Sequence, residues 1–314
     1  MLPVGRKPVV QYVVEELLAA GIEQILFITG RKKAAIEDHF DVDSELRPVL
    51  DRPRGGGTKG LGLADGVPGI FYTRQGNPTG VADAVRLGRD FAAGESIVVA
   101  FGDTILHGGN IVGRLIHAHQ MSQASCTLAV EAVPREDVFR YGVVGVQQRG
   151  DLLYATGLIE KPDPENAPSN LAIVPRYVFS PSIFDTIDAT PRGKNGERWL
   201  TDAIAILARE MAPVRVVPLE GPEKRYDIGN FASYYRAFID FALSDEEYGD
   251  DVNSVGSELK PFKSLNRIRE DINIMQKQIR DLSTSAHMGI GGLKVALFIG
   301  ALLGGLYTFM KFLK

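Results

Sequence analysis

An apolar run that stops on a small residue and an acid constrains this chain most. In SIVVAFGDTIL, residues 96–106, the hydrophobic stretch reads as a strand leading into Gly102 and Asp103. In open α/β sheets ligands bind beyond the carboxyl ends of the strands, so Asp103 stands where a functional carboxylate is expected. The preceding segments fit such a sheet. VVQYVVEELLA at 9–19 has helical periodicity and is closed by Gly21, IEQILFITG at 22–30 reads as a strand, and RKKAAIEDHF at 31–40 suits a second helix. This alternation of helix and strand predicts an α/β domain.

Further along, IFYTR at 70–74 is a strand followed by the helical ADAVRLGRDFA, and IVGRLIHAHQMSQ at 111–123 is a helix before the strand SCTLAVEAV. YGVVGV, LLYATGLIEKP and SNLAIVPRYVF alternate short strands with turns, which predicts a second, strand-rich lobe. NGERWLTDAIAILAREM at 195–211 is a loop entering a helix, and VRVVPLEG is a strand. It leads to RYDIGN, whose Asp227 is a second acid just past a strand, and FASYYRAFIDFAL at 231–243 is helical. The Pro- and Gly-rich stretch 47–69, with RPRGGGTKGLG, reads as a flexible connection or a phosphate cradle. It is not a Walker loop, because Lys59 is followed by glycine.

Composition narrows the function classes. The 314 residues are 45% hydrophobic, enough for one large core or two modest ones, and a net charge of −4 argues against a dominant nucleic-acid surface. The single cysteine, Cys126, can form no internal disulfide, and no Cys/His cluster has zinc-ligand spacing. The acidic, polar stretch 245–262 reads as a linker. Leu265, Ile268, Ile272, Met275, Ile279 and Leu282 within 263–285 recur at heptad spacing, so this helix is a coiled coil or an amphipathic helix. Residues 289–311 are apolar except for Lys294 and Lys311, and about 20 residues suffice to cross a bilayer. The expectation is a single-pass C-terminal anchor with the globular part on the cytoplasmic side. Gly300 and Gly304 offer a face for a homo-oligomer.

As chemistry, Asp103 and Asp227 could together hold a hard cation such as Mg²⁺, which takes oxygen ligands from few carboxylates plus substrate phosphates. Lys161, in IEKP, offers a point charge to phosphate, and Glu197 and Asn170 could bond sugar hydroxyls. An acid after a strand is also a common turn or cap residue, and a Lys-Pro pair a common surface turn.

The ordered segments carry a more specific resemblance. MLPVGRKPVVQYVVEELLAAGIEQILFITGRKKAAIEDHF, RQGNPTGVADAV at 74–85, FGDTIL, FRYGVV at 139–144, GLIEKPDPENAPSNLAI at 157–173, RYVFSPSIFD at 176–185, GERWLTDAI at 196–204 and KRYDIGN at 224–230 resemble bacterial UTP-glucose-1-phosphate uridylyltransferases, which are sugar-phosphate nucleotidyltransferases. The resemblance implies a Rossmann-like mixed-sheet core over 1–244, joining UTP and glucose 1-phosphate into UDP-glucose and pyrophosphate with Mg²⁺. It implies Asp103 and Asp227 as metal ligands and Lys161 and Asp103 as catalytic residues. Gln75 and Gly80 would face the uracil, with Gly142, Glu160, Asn170 and Glu197 around glucose and its phosphate. The family's first strand and glycine-rich loop have no counterpart after Met1, Ala82 and Asp83 stand where the family commonly has Gly and His or another polar residue, and the anchor is not a family feature. Three readings follow: a membrane-tethered uridylyltransferase, a catalytically impaired nucleotide-sugar-binding or membrane-associated interaction module, or a transferase for another nucleotide or sugar phosphate.

Overall fold

The computed structural model describes residues 1–31, 33–41, 69–193, 196–210 and 213–258. The glycine-rich stretch within 42–68 lies outside them. The chain divides into two compact units, Met1–Gly229 and a second beginning at Asn230.

The first unit opens with the short strands β1 (Pro3–Val4) and β2 (Lys7–Pro8), then α1 (Val9–Ala19), β3 (Ile25–Thr29) and α2 (Ala34–Phe40). β4 (Ile70–Arg74) lies parallel to β3. Two short helices, α3 (Val81–Arg86) and α4 (Arg89–Ala92), precede β5 (Ile97–Ala100) and β6 (Thr104–His107). α5 (Ile111–Ser122) leads to β7 (Cys126–Ala132), followed by β8 (Gly142–Arg149), β9 (Leu152–Glu160) and β10 (Leu171–Phe179). α6 (Ile183–Ala189), α7 (Leu200–Arg209), β11 (Val214–Pro218) and β12 (Lys224–Asp227) complete the unit.

Six strands form one mixed sheet in the order β5-β10-β7-β11-β9-β8, and a single Ala172↔Val143 pairing joins β10 to β8. The strands expected to build a second lobe are therefore part of this sheet. Side chains alternate across it, as the two-residue period of a strand requires. Cys126, Leu128 and Val130 of β7 with Ile173, Tyr177 and Phe179 of β10 pack on α6 and α7. Ala129, Val174 and Val178 face the other way, onto α1 and α5. Helices on both faces explain why these strands read as continuous hydrophobic runs.

The run 96–106 is two strands rather than one. β5 pairs with β10, whereas β6 leaves the sheet and pairs antiparallel with β12. The turn between them is Gly102-Asp103, so the chain changes partner at the residues the sequence marks as functional.

The second unit contains α8 (Phe231–Leu243), capped by the Asn230 side chain accepting from the Ser233 N–H at 3.0 Å, and α9 (Gly249–Glu258). Part of the stretch read as a linker is thus helical, and Asp250 and Asp251 in its first turn suit the positive end of a helix.

The membrane part of the expected architecture is corrected. Among the described residues no helix is long and apolar enough to cross a membrane. The longest of them, α8, has 13 residues, about 20 Å at the α-helical rise against a hydrocarbon core of about 30 Å. The heptad helix at 263–285 and the anchor at 289–311 lie outside the described residues. The described residues form the Rossmann-like α/β core and two further helices, and they give no support to the expected coiled coil, transmembrane helix, membrane partner or membrane localisation.

Candidate active site

Backbone pairing places the two expected metal ligands side by side. Asp227 stands opposite Thr104 in the β6–β12 ladder, and the Ile228 N–H donates to the Asp103 carbonyl at 3.2 Å. The Asp103 carboxylate accepts from the Thr104 hydroxyl at 3.4 Å and is exposed; that of Asp227 accepts from the Gly229 N–H at 2.9 Å. A side chain at residue 229 would bring its Cβ to 2.9 Å from the Asp227 Oδ1, so glycine keeps that carboxylate accessible. Among the described residues no group of three or more His, Cys, Asp or Glu could hold a metal by itself. The donor set present, two neighbouring carboxylates at one turn, fits a hard cation that completes its shell with substrate oxygens.

A second group gathers where β8 and β9 begin and end. Gly142 pairs with Glu160, and Thr201 on α7 donates to the Glu160 carboxylate at 2.6 Å. A Cβ at residue 142 would stand 3.0 Å from both the Glu160 Oε2 and the Ile173 Cδ1, so this glycine preserves the space over the carboxylate. Lys161 follows with a left-handed backbone at φ 47°, its N–H donating to the Tyr141 carbonyl at 3.0 Å and its side chain exposed. A non-glycine residue there is strained, and such residues recur at functional sites. The guanidinium groups of Arg140, at 5.4 Å, and Arg225, at 4.2 Å, both lie over the Tyr141 ring. Arg225 belongs to β12, two residues before Asp227, and pairs with Glu131. This stack ties the strand carrying Asp227 to the one carrying Gly142. Burial pushes the Glu131 carboxyl up, Arg225 pulls it down, and the Asp227 charge adds to the upward push.

The third group is the expected base loop. The Gln75 amide donates to the Gly80 carbonyl at 3.0 Å, and the Gln75 N–H to the Thr29 carbonyl at the end of β3. Gly80 has φ 113°, and a Cβ there would lie 2.6 Å from the Arg198 nitrogen, with the Arg198 carbonyl closer still. The Arg198 N–H donates to the Thr79 carbonyl at 2.9 Å and the Arg198 carbonyl accepts from the Ala82 N–H at 3.2 Å. The base loop and the loop carrying Glu197 are thus paired main chain to main chain, while the Glu197 carboxylate accepts from the Trp199 indole at 3.5 Å. Asn170 is exposed at the entry to β10, where its amide donates to the Val133 carbonyl at 3.3 Å. That bond engages the chain just past the C-terminal end of β7.

Several charged residues at the site carry no local sequence signal. Asp83 is buried beneath the base loop, with Arg192 at 3.1 Å, Arg198 at 3.2 Å and Arg86 at 3.9 Å. Burial pushes its carboxyl up, but the Thr79 hydroxyl and then Arg192, Arg198 and Arg86 outweigh this and hold it below its ordinary value. Arg176 and Glu16 lie under the Asp103 turn. Burial pushes the Glu16 carboxyl up, against the pull of Arg176.

Residues 1–243 match the family model described as nucleotidyl transferase. The chain is 42% identical over 242 residues to a Methanocaldococcus jannaschii protein whose name, UTP–glucose-1-phosphate uridylyltransferase, is itself provisional; the match covers 76% of this chain and 84% of that one. It is 37% identical over 263 residues to UTP–glucose-1-phosphate uridylyltransferase 2 of Streptococcus pyogenes, covering 81% of this chain and 86% of the relative. Among solved structures, the UTP-bound UGPase of Acinetobacter baumannii superposes with a TM-score of 0.71 at 30% identity, over 82% of this chain and 90% of that one.

Proposed function

The chain belongs to the nucleotidyl transferase family, and from that premise we infer that it transfers the uridylyl group of UTP to glucose 1-phosphate, giving UDP-glucose and pyrophosphate. The observation that carries the reading to residues is the β6–β12 ladder, which sets Asp103 and Asp227 together beside the Tyr141–Arg225 stack leading to Gly142, Glu160 and Lys161. A family of this kind works with a divalent metal. We assign Mg²⁺ to Asp103 and Asp227, where it would supply charge neutralisation for the nucleotide phosphates.

The remaining chemistry belongs to the chain's own side chains. Gln75 and Gly80 receive the uracil, the glycine letting the Arg198 main chain pack directly against this loop. Glu160, oriented by Thr201, accepts from glucose hydroxyls over the space left by Gly142, with Asn170 and Glu197 at the margins of that subsite. Lys161, projecting from its left-handed turn, stabilises phosphate charge. A phosphate oxygen of glucose 1-phosphate attacks the α-phosphorus of UTP, the bond to the β-phosphate bridging oxygen breaks, and pyrophosphate leaves with that oxygen. The nucleophile is already anionic, so no general base is required, and positioning with charge stabilisation provides most of the rate.

The test is phosphorus NMR of the full-length protein with UTP, glucose 1-phosphate and Mg²⁺. UDP-glucose and pyrophosphate should accumulate in equal amounts. Hydrolysis of UTP without sugar transfer, or equal use of ATP in place of UTP, would contradict the assignment.

A further inference from the structure

The turn that presents Asp103 is held from beneath by a single guanidinium. Arg176 sits in β10 where its pairing with β7 is interrupted between Val174 and Tyr177, and where Pro175 has no N–H to contribute. Its side chain is fully buried on the α1 face of the sheet. A guanidinium has five N–H donors in a fixed plane, and each has an acceptor here. Nε and Nη2 donate to the Glu16 Oε2 at 3.0 and 2.8 Å. Nη1 donates to the carbonyls of Phe101 at 3.3 Å and Pro175 at 3.0 Å, and Nη2 also donates to the Thr104 carbonyl at 2.9 Å.

Phe101 and Thr104 flank Gly102-Asp103. One rigid group therefore clasps the chain on both sides of the proposed metal ligand, at the point where it leaves the six-stranded sheet for the β6–β12 ladder. Glu16 fixes that group from α1. A lysine could not replace it, because three donors on one flexible nitrogen cannot span Phe101, Thr104 and Glu16 together.

We propose that Arg176 and Glu16 are positioning residues for the transferase reaction: they set the Asp103 carboxylate beside Asp227 and so fix affinity for the divalent cation. Neither touches substrate or metal. The inference rests on the uridylyltransferase reading and names, within it, a residue pair that reaches the Asp103 turn from α1 and β10. Partners that orient a ligand from behind it change metal affinity about 10- to 100-fold when lost.

The experiment compares the full-length protein with Arg176→Lys and with the double variant Arg176→Met/Glu16→Leu, which replaces the ion pair by apolar groups of similar size, a change that buried pairs often tolerate. Mn²⁺ is titrated into each protein at fixed UTP, and free Mn²⁺ is read by EPR. UTP affinity in EDTA, cooperative urea unfolding and steady-state rates are measured alongside. Both variants should unfold cooperatively and hold UTP in EDTA as the parent does, while the Mn²⁺ dissociation constant rises about tenfold or more. kcat should fall with the KM for glucose 1-phosphate unchanged. A merely structural role would lower the number of sites titrated and leave the dissociation constant of the folded molecules alone.

If Arg176→Lys fails to fold, the double variant decides. A folded variant with the parent's Mn²⁺ affinity overturns the inference, as does loss of folding in both. When the parent turns over both substrates, either result sinks the inference alone. A parent with neither turnover nor Mn²⁺ binding sinks the transferase reading with it.

Discussion

Replacing Gly80 by alanine should damage the base loop and the protein's stability together. The backbone at Gly80, with φ 113° and ψ 164°, lies where only glycine is comfortable, and forcing another residue into such a region costs about 1–3 kcal/mol. The new Cβ would also stand 2.6 Å from the Arg198 nitrogen and 2.9 Å from its carbonyl carbon. Those are main-chain atoms, so no rotamer change relieves the clash. Relief requires the Thr79–Ala82 segment and Arg198 to part, which sacrifices the bonds at 2.9 and 3.2 Å between them, each contributing about 1 kcal/mol. The expected loss is about 3–5 kcal/mol in urea unfolding, with UTP affinity, read by calorimetry, reduced about tenfold or more. Gly76, with open space around its Cβ position, is the control, and Gly76→Ala should stay within about 0.5 kcal/mol of the parent. A Gly80→Ala protein as stable as the Gly76→Ala control, with unchanged UTP affinity, would refute the proposed packing of the base loop.

Two further outcomes follow from local geometry and charge. Lys161→Gly relieves a left-handed backbone, so the variant should be more stable by about 0.5 kcal/mol yet lose about 100-fold in kcat; a variant that keeps its rate would remove Lys161 from the reaction. His119 is buried between the hydroxyls of Thr127 at 3.0 Å and Ser180 at 3.2 Å, and burial holds its imidazole below the usual value of 6.5. Its neutral form is the one the fold accommodates. The contribution to stability is therefore complete above pH 6.5 and is lost as pH falls through the lower folded value. Unfolding free energy should drop more steeply in the parent than in His119→Asn as pH falls below 6.5, and parallel curves would contradict this.

Elements defined by their own periodicity were legible in the sequence. α1 at Val9–Ala19, β4 at Ile70–Arg74 and α8 at Phe231–Leu243 occupy the expected residues, because each is decided by which local positions are apolar. The division of 96–106 was not legible, since it depends on β6 finding a partner at residues 224–227. The proximity of Asp103 and Asp227 comes from that same distant pairing. Arg176 and Glu16 are 160 residues apart, and Arg198 and Asp83 are 115 apart. A buried charge is recognisable only once its partners are in place, and in isolation each of these residues resembles an ordinary surface charge. The two parts of the site also differ in kind: Gly80 and Gly142 stand where a side chain would collide with its neighbours, which a sequence motif can mark, whereas the charged supports beneath them belong to tertiary packing.

The central question is whether the paired carboxylates serve uridylyl transfer. Initial rates of pyrophosphate release by the full-length protein, with Mg²⁺, UTP and glucose 1-phosphate, should require both substrates. They should fall about 1,000-fold or more in Asp103→Ala and in Asp227→Ala, while each variant remains folded. Rates in both variants equal to the parent's, or pyrophosphate release that continues at the same rate without glucose 1-phosphate, would contradict it.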